Sequence, residues 1–550
     1  MKRCLSFILV FIMIMTLLAG CGKNEEPSST STEGKSDVPT GEKIIRITAD
    51  STPVIDPAIG ISNSSAISFV NLYDTLVFPT ENEVKPWLAT DWKVSEDGTE
   101  YTFYLKKGVK FHDGSELLAS DVAFTAKRLI DIGEGFAYIY SNIIKDVVAV
   151  DNYTVKFILN HPFGPFVDSL CRLYIVNEDL IMANLKDGSY GKYGDYGRDF
   201  LITHDAGSGP YMAKELVQQD YFYAVKFDDW HMEWDKNAPE SFKIIYGTEP
   251  STVRTMLASK QLEISDPWQS SENLKALSKL EGIKVVPYST RLVQNVFFNT
   301  SIVPTDDVNY RKALSCLFDY DMIVKDIFVD SKLNHGPVSS YTAGSVDTTQ
   351  YKYDIEKAKE YLSKSEYANN YQNYTIEFLV NSDVQDIEKI ALAFQSAAKQ
   401  VGINVEITKA PWVTIQERVS TSESTPHVTT INSGPQYNEA GATLESGFHS
   451  KTAGTYENCH WYLMDELDAE IESALATTDK DERFAKYEKL QNKIVDEICP
   501  SAWIADLTER VAYQATYIEW PAAEAAKAGE IKAYLMGYPY FFPDMRYISK

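Results

Sequence analysis

The residue patterns that would let a chain break or form bonds are missing here. There is no Gly-x-Ser-x-Gly elbow, no His-Glu-x-x-His pair and no phosphate-cradling Gly-x-x-x-x-Gly-Lys-Ser/Thr loop, the arrangements that expose a nucleophile, hold zinc or wrap a triphosphate. Gly207-Ser208-Gly209 runs into Pro210-Tyr211 and reads as a turn. The eight histidines show neither i, i+4 nor His-x-His spacing, so neither metal chemistry nor a cofactor is expected. Six cysteines stand at 4, 21, 171, 316, 459 and 499. None has the Cys-x-x-Cys spacing of a zinc or redox pair, and the four beyond residue 21 read as buried thiols, with one disulfide as the alternative. The exception is Cys21, which follows Leu18-Ala19-Gly20, a small-residue cleavage site after the apolar run Leu5 to Leu18 and the cations Lys2 and Arg3.

That start resembles the lipobox of bacterial lipoproteins. The resemblance implies a signal peptide over 1–20, lipidation of the Cys21 thiol, and Cys21 as the mature N-terminus. An apolar run of about 14 residues falls short of the roughly 20 a membrane-crossing helix needs, so anchorage on the outer face of the cell membrane by lipid is expected. Residues 22–42, rich in Ser, Thr, Gly, Pro, Lys and Glu, cannot bury enough apolar surface to fold. Residues 21–42 thus read as the lipidated cysteine and a flexible tether with an r.m.s. reach of about 25 Å. The formal net charge is −26, and more negative still without Lys2 and Arg3. It excludes nucleic acid as a natural partner and argues against electrostatic docking on anionic lipid.

About 500 remaining residues are too many for one hydrophobic core. Tyr101, Phe103 and Leu105 alternate as a half-buried strand does, and Ser120-Asp121 is expected to cap a helix carrying Val122, Ala126, Leu129 and Ile130. Asp151-Asn152 splits Val147 to Val150 from Tyr153 to Leu159 as a hairpin would. Ile387, Ile390, Ala391, Phe394 and Ala398 form one helical face ended by Gly402, and Ile403, Val405 and Ile407 start a strand. Asp479 precedes a helix with Phe484, Tyr487, Leu490 and Ile494. Strand and helix signals mix throughout, which defines an α/β chain with an antiparallel-rich part near its start.

Several stretches, in order, resemble family 5 of the bacterial extracytoplasmic solute-binding proteins, the oligopeptide, dipeptide and nickel-binding group. They are Asn71-Leu72-Tyr73-Asp74-Thr75-Leu76-Val77, Pro86-Trp87-Leu88-Ala89-Thr90-Asp91-Trp92, the run Tyr101 to Gly114 ending in Phe111-His112-Asp113-Gly114, and Ala119-Ser120-Asp121-Val122. Gly207-Ser208-Gly209-Pro210-Tyr211, Phe298-Asn299-Thr300, Val308 to Leu314 and Val401 to Val405 continue the match. On their own physical terms most of these residues are scaffold: His112 reads as a structural hydrogen-bonding residue, Trp87 and Trp92 as core. The resemblance implies a two-lobed, periplasmic-binding-protein-like fold in three domains, closing on its ligand by a hinge. Domain I is expected over 43–80, 200–290 and 505–550, domain II over 81–199, and domain III over 291–504. It also implies a monomer that is not an enzyme and that delivers a small solute or peptide to an ABC permease and ATPase complex. Oligosaccharide capture, or peptide sensing at the surface, is the alternative.

In peptide-binding members an aspartate in a Trp-Gly-Ala-Asp-Tyr-like stretch pairs with the peptide amine. Aligned on Tyr437, that position holds Gln436, within a segment that also supplies Asn432 and Glu439. Gln436 can accept a hydrogen bond from an ammonium but cannot neutralise it. Either Glu439 or Glu445 takes the role or the ligand has no free amine. Trp412, Trp268 and Trp461, with Tyr437, are candidate platforms, and Asp266 beside Trp268 resembles a segment leading into the cleft.

Overall fold

The computed structural model describes residues 43–49, 51–382, 384 and 386–548. Cys21, the leader and the tether lie outside them. Among the described residues no helix is long and apolar enough to cross a membrane.

Three sheets carry the architecture. The first is four-stranded, with Ile44–Ala49 parallel to Ser241–Tyr246, followed by Tyr221–Lys226 and Tyr211–Val217. A second antiparallel sheet orders Ala89–Val94, Glu100–Leu105, Thr154–Leu159 and Ile144–Asp151. In Glu100–Leu105 every second residue is buried, as the alternation predicts. The strands on either side of Asn152 pair antiparallel, completing the expected hairpin. The third sheet is mixed and six-stranded: Lys332–Leu333, Ser501–Asp506, Val293–Phe298, Val428–Ser433, Thr375–Asn381 and Asn404–Ala410. Val293–Phe298 is buried at every position, since separate apolar clusters cover its two faces, one with Val296 and Phe298, the other with Phe297 and Ile431.

Between the first and third sheets the chain crosses twice, at 289–292 and 507–508. Each crossing continues a strand of the antiparallel ladder Ile283–Tyr288 and Glu509–Gln514. Thr290 Oγ1 donates to the Glu509 carboxylate across the two crossings. Glu509 is buried, and burial pushes its carboxyl up to about 7.

The family-like motifs converge in the chain's scaffold. Asp74 accepts from Trp87 Nε1 at 2.8 Å and from Ser208 Oγ at 2.9 Å. Gly207 lies so close to Leu72 that a Cβ there would meet its carbonyl oxygen at 1.8 Å, so the turn admits only glycine. His112 contacts the Asp205 carboxylate through Nδ1 and donates from Nε2 to Gly209 O at 2.9 Å, the structural role its sequence position suggests. One local expectation shifts: Ser120 lies inside helix Ala119–Ile132, whose N-cap is Leu118. Asp121 instead reaches back from the third position to the Leu118 N–H at 2.8 Å. Asp479 does cap its helix, accepting from Glu482 N. Gly402 stands at φ +82° after helix Ile387–Gln400, whose expected apolar face is buried. Cys171, Cys316, Cys459 and Cys499 are all buried free thiols, so the single-disulfide alternative falls away.

Candidate functional site

Strand Val428–Ser433 runs through the middle of the third sheet, and the loop 434–439 leaves its end before helix Ala440–Phe448. Gly434 in that loop packs on Arg291, with only 2.9 Å from a would-be Cβ to the Arg291 carbonyl oxygen. The loop is thereby fixed to the first crossing.

Its next residues meet a side chain from far away in sequence. Arg172 is fully buried and donates from Nε to Gln436 O at 2.7 Å. Its Nη1 reaches Tyr174 Oη at 3.2 Å and Met536 O at 3.1 Å, and the guanidinium lies over Phe136 and Tyr538. Nη2 has no partner, and among the described residues no carboxylate forms an ion pair with Arg172. A buried guanidinium without a counter-ion is costly.

A carboxylate in the mirror situation stands nearby. Glu457 is 7 % exposed, and burial pushes its carboxyl up to about 7 against hydrogen bonds from Ser446, Tyr456 and Gln436. Among the described residues no Lys, Arg or His forms an ion pair with it. Glu457 lines a cavity of about 10 Å³ with Asn295, Phe297, Thr443, Ser446 and Phe448, the room of about one water. Around this seam further buried polar atoms have no partner: Gln436 Oε1, Tyr437 Oη and Thr443 Oγ1. Natural proteins rarely leave such atoms unpaired.

The residues singled out from sequence distribute unevenly over this geometry. Gln436 and Tyr437 lie at the seam, whereas Asn432, on strand Val428–Ser433, alternates to the face of the sheet opposite Ser433, Asn295 and Phe297. Trp412 reaches it through Tyr456, the two rings edge to face at 5.3 Å. Trp461 is tied elsewhere, its Nε1 donating to Thr425 Oγ1. Asp266 and Trp268 form a separate, internally satisfied group. Asp266 accepts from Thr48 Oγ1, Trp268 N and Gln269 Nε2. Glu439 and Glu445, expected as alternatives for the amine, both have partners within the fold. Both Glu439 oxygens are engaged by Arg483, at 2.8 and 2.9 Å, with Tyr487 Oη donating at 2.7 Å. Glu445 is paired with Lys451. Each carboxylate already neutralises one cation of the fold. Glu457 and Arg172 were missed because neither belongs to a motif. An acid two residues before a buried cysteine carries no periodic or spacing signal.

Two lobes, each built on its own sheet and joined by paired crossings, with unpaired polar groups at a buried seam, define a binding protein of the hinged, periplasmic type. The model of the bacterial extracellular solute-binding proteins, family 5, matches residues 83–455, and the chain belongs to that family. It is 29% identical over 474 residues to the probable D,D-dipeptide-binding periplasmic protein DdpA of Escherichia coli, covering 84% of this chain and 87% of that one. Among solved structures it resembles the Helicobacter pylori periplasmic binding protein DppA in complex with the peptide STSA, at TM-score 0.76 and 23% identity, covering 92% and 98% of the two chains. It also resembles the oligopeptide-binding protein AppA of Bacillus subtilis in complex with a nonapeptide, at TM-score 0.73 and 20% identity, covering 92% and 99%.

Proposed function

We propose that this chain is the solute-binding component of an ABC-type importer, that it captures oligopeptides in the seam around Gln436, and that Cys21 anchors it to the membrane by lipid. The observation that carries the peptide reading is Arg172, a buried guanidinium with an unpartnered Nη2 and no counter-ion. A peptide's terminal carboxylate supplies the missing charge and a bidentate acceptor in one group. The unpaired Gln436 and Tyr437 atoms suit a backbone amide's donor and acceptor pattern. Neutral sugars would leave the guanidinium uncompensated. The D,D-dipeptide-binding relative agrees with a short peptide. Closure about 289–292 and 507–508 is what brings Arg172 and Gln436 together, so ligand selects the closed state.

Calorimetry with random tripeptides, as free acids and as C-terminal amides, tests the reading. Free acids bind, and amides or the Arg172→Met variant lose more than about a hundredfold, the cost of leaving one member of a buried charge pair alone. Amides that bind as tightly as free acids would overturn it. Cys21→Ala is expected to leave the precursor unprocessed or release it from the membrane.

A further inference from the structure

The position where peptide-binding members of the family resembled here carry an aspartate holds Gln436, and the acids nearest in sequence are spent on Arg483 and Lys451. A solute carrying a cation therefore needs its counter-charge from somewhere else in this chain. Glu457 meets each requirement. Its residue is 7 % exposed, it lines the cavity at the seam, and its hydrogen-bonding partners Ser446, Tyr456 and Gln436 are all neutral. The surroundings are rich in acceptors: Gln436 Oε1 lacks a partner, as does the hydroxyl oxygen of Thr443, which lines the cavity. Phe297 and Phe448 supply aromatic walls, surfaces that tolerate a desolvated cation. Such a lining lacks hydrogen-bond donors, and an ammonium, about the size of the one water the cavity has room for, brings three.

We propose that Glu457, in place of a carboxylate at 436, receives a cationic group of the solute in the cavity between strand Val293–Phe298 and helix Ala440–Phe448, and that Gln436 orients it. The inference rests on the peptide reading above. Its ammonium has two sources, the peptide's N-terminus or a basic side chain. Glu457 must be ionised to act. Groups facing it from each packed element are Ser446 on helix Ala440–Phe448, Gln436 on the loop, Tyr456 beside it in sequence, and Tyr138 on the single-turn helix Gly135–Ile139, whose hydroxyl is pushed up by burial and then by Glu457. Burial holds the Glu457 carboxyl up at about 7, so capture of a cation releases a proton. Affinity for cationic solutes then rises from pH 5 to pH 8.

The test compares the intact protein with Glu457→Gln, which keeps shape and hydrogen bonding, using tripeptides with free N-termini, N-acetyl tripeptides, and N-acetyl tripeptides containing lysine. Thermal melts establish that the variant is folded. For the wild type, binding of free-amine or lysine-containing peptides is expected to exceed that of plain N-acetyl peptides by more than a hundredfold. Calorimetric heats should vary with the buffer's ionisation enthalpy as a proton is released. In Glu457→Gln both the preference and the proton release should vanish. Loss of binding on acetylation alone assigns the N-terminus, and retention by lysine-containing N-acetyl peptides assigns a side chain. Unchanged preference in a folded Glu457→Gln overturns the assignment of Glu457 while leaving the peptide reading intact. Wild-type protein that takes none of these peptides overturns both.

Discussion

Two buried polar regions of this molecule are built on opposite terms. Around Asp74 and His112 the carboxylates find their partners within the fold. Burial alone would push the Asp74 carboxyl up, but His231 beside it, with hydrogen bonds from His231, Trp87 and Ser208, holds it below its usual range. Asp205 takes His112 together with the Gly207 and Ala213 N–H groups. Around Gln436 charges of both signs are buried and left open: Arg172 has no anion and Glu457 no cation. A region whose carboxylates are met from within the fold holds two parts of that fold in place. One whose groups are unsatisfied stores a cost that a complementary solute removes on binding.

The sharpest break between these classes is expected at Glu439, which sits in sequence beside the open region but belongs in kind to the closed one. Replacing it by Ala strands Arg483, itself buried and held charged by Glu439 against the pull of desolvation. The loss is about 3–5 kcal/mol of stability, visible as a lowered denaturant midpoint with peptide affinity changed little in the folded fraction. Collapse of affinity without loss of stability would move Glu439 into the binding machinery.

The opposite sign is expected for Glu457. Its carboxyl titrates near 7 in the fold and at about 4.3 in an unfolded chain. A raised folded value means stability present below the unfolded value and lost as pH rises through the folded one. At pH 8 Glu457→Gln should therefore melt higher than wild type without ligand, by the equivalent of about 3 kcal/mol, and match it near pH 4. A lower melting temperature at pH 8 would show that Glu457 has a cation partner after all.

The same contrast explains what was legible in the sequence. Strands, the hairpin and the helix faces at Ile387–Gln400 and Lys480–Lys493 announce themselves by period and caps. The scaffold motifs announce themselves too, since Asp74, His112 and Gly207 need particular residue types at fixed spacing. Gln436, Tyr437 and Asn432 were reached through the aspartate that Gln436 replaces. Arg172 and Glu457 could not be reached that way. They are 285 positions apart in the chain, and what distinguishes Glu457 from Glu439 is the absence of a partner, which only the folded arrangement defines. Leu118 in place of Ser120 as the helix cap is a smaller instance: Asp121 supplies the capping oxygen from inside the helix, and a motif count cannot tell which of two adjacent polar residues turns back.

The smallest effect is expected at His112, and it tests whether the scaffold region is closed in charge as well as in hydrogen bonds. Both ring nitrogens face acceptors, Asp205 and Gly209 O, so both must carry protons for the pair to be satisfied and the ring is an imidazolium. Burial works against that charge, but Asp205, by charge and by hydrogen bond, raises the pKa of His112 above its usual value. For a raised histidine the stabilisation is complete below the unfolded value of about 6.5 and is lost as pH climbs through the folded one. Between pH 6 and pH 9 the wild type should lose stability that His112→Asn, neutral throughout, has already forfeited, so their melting curves converge with rising pH. The gap at pH 6 is about 1–3 kcal/mol, the range for a hydrogen bond to a charged group. Glu457 and Glu509 also titrate within this window, but they do so in both proteins, and the difference between the two isolates the histidine. A gap that widens as pH rises would mean that the fold favours the neutral ring and that Asp205 does not hold the imidazolium.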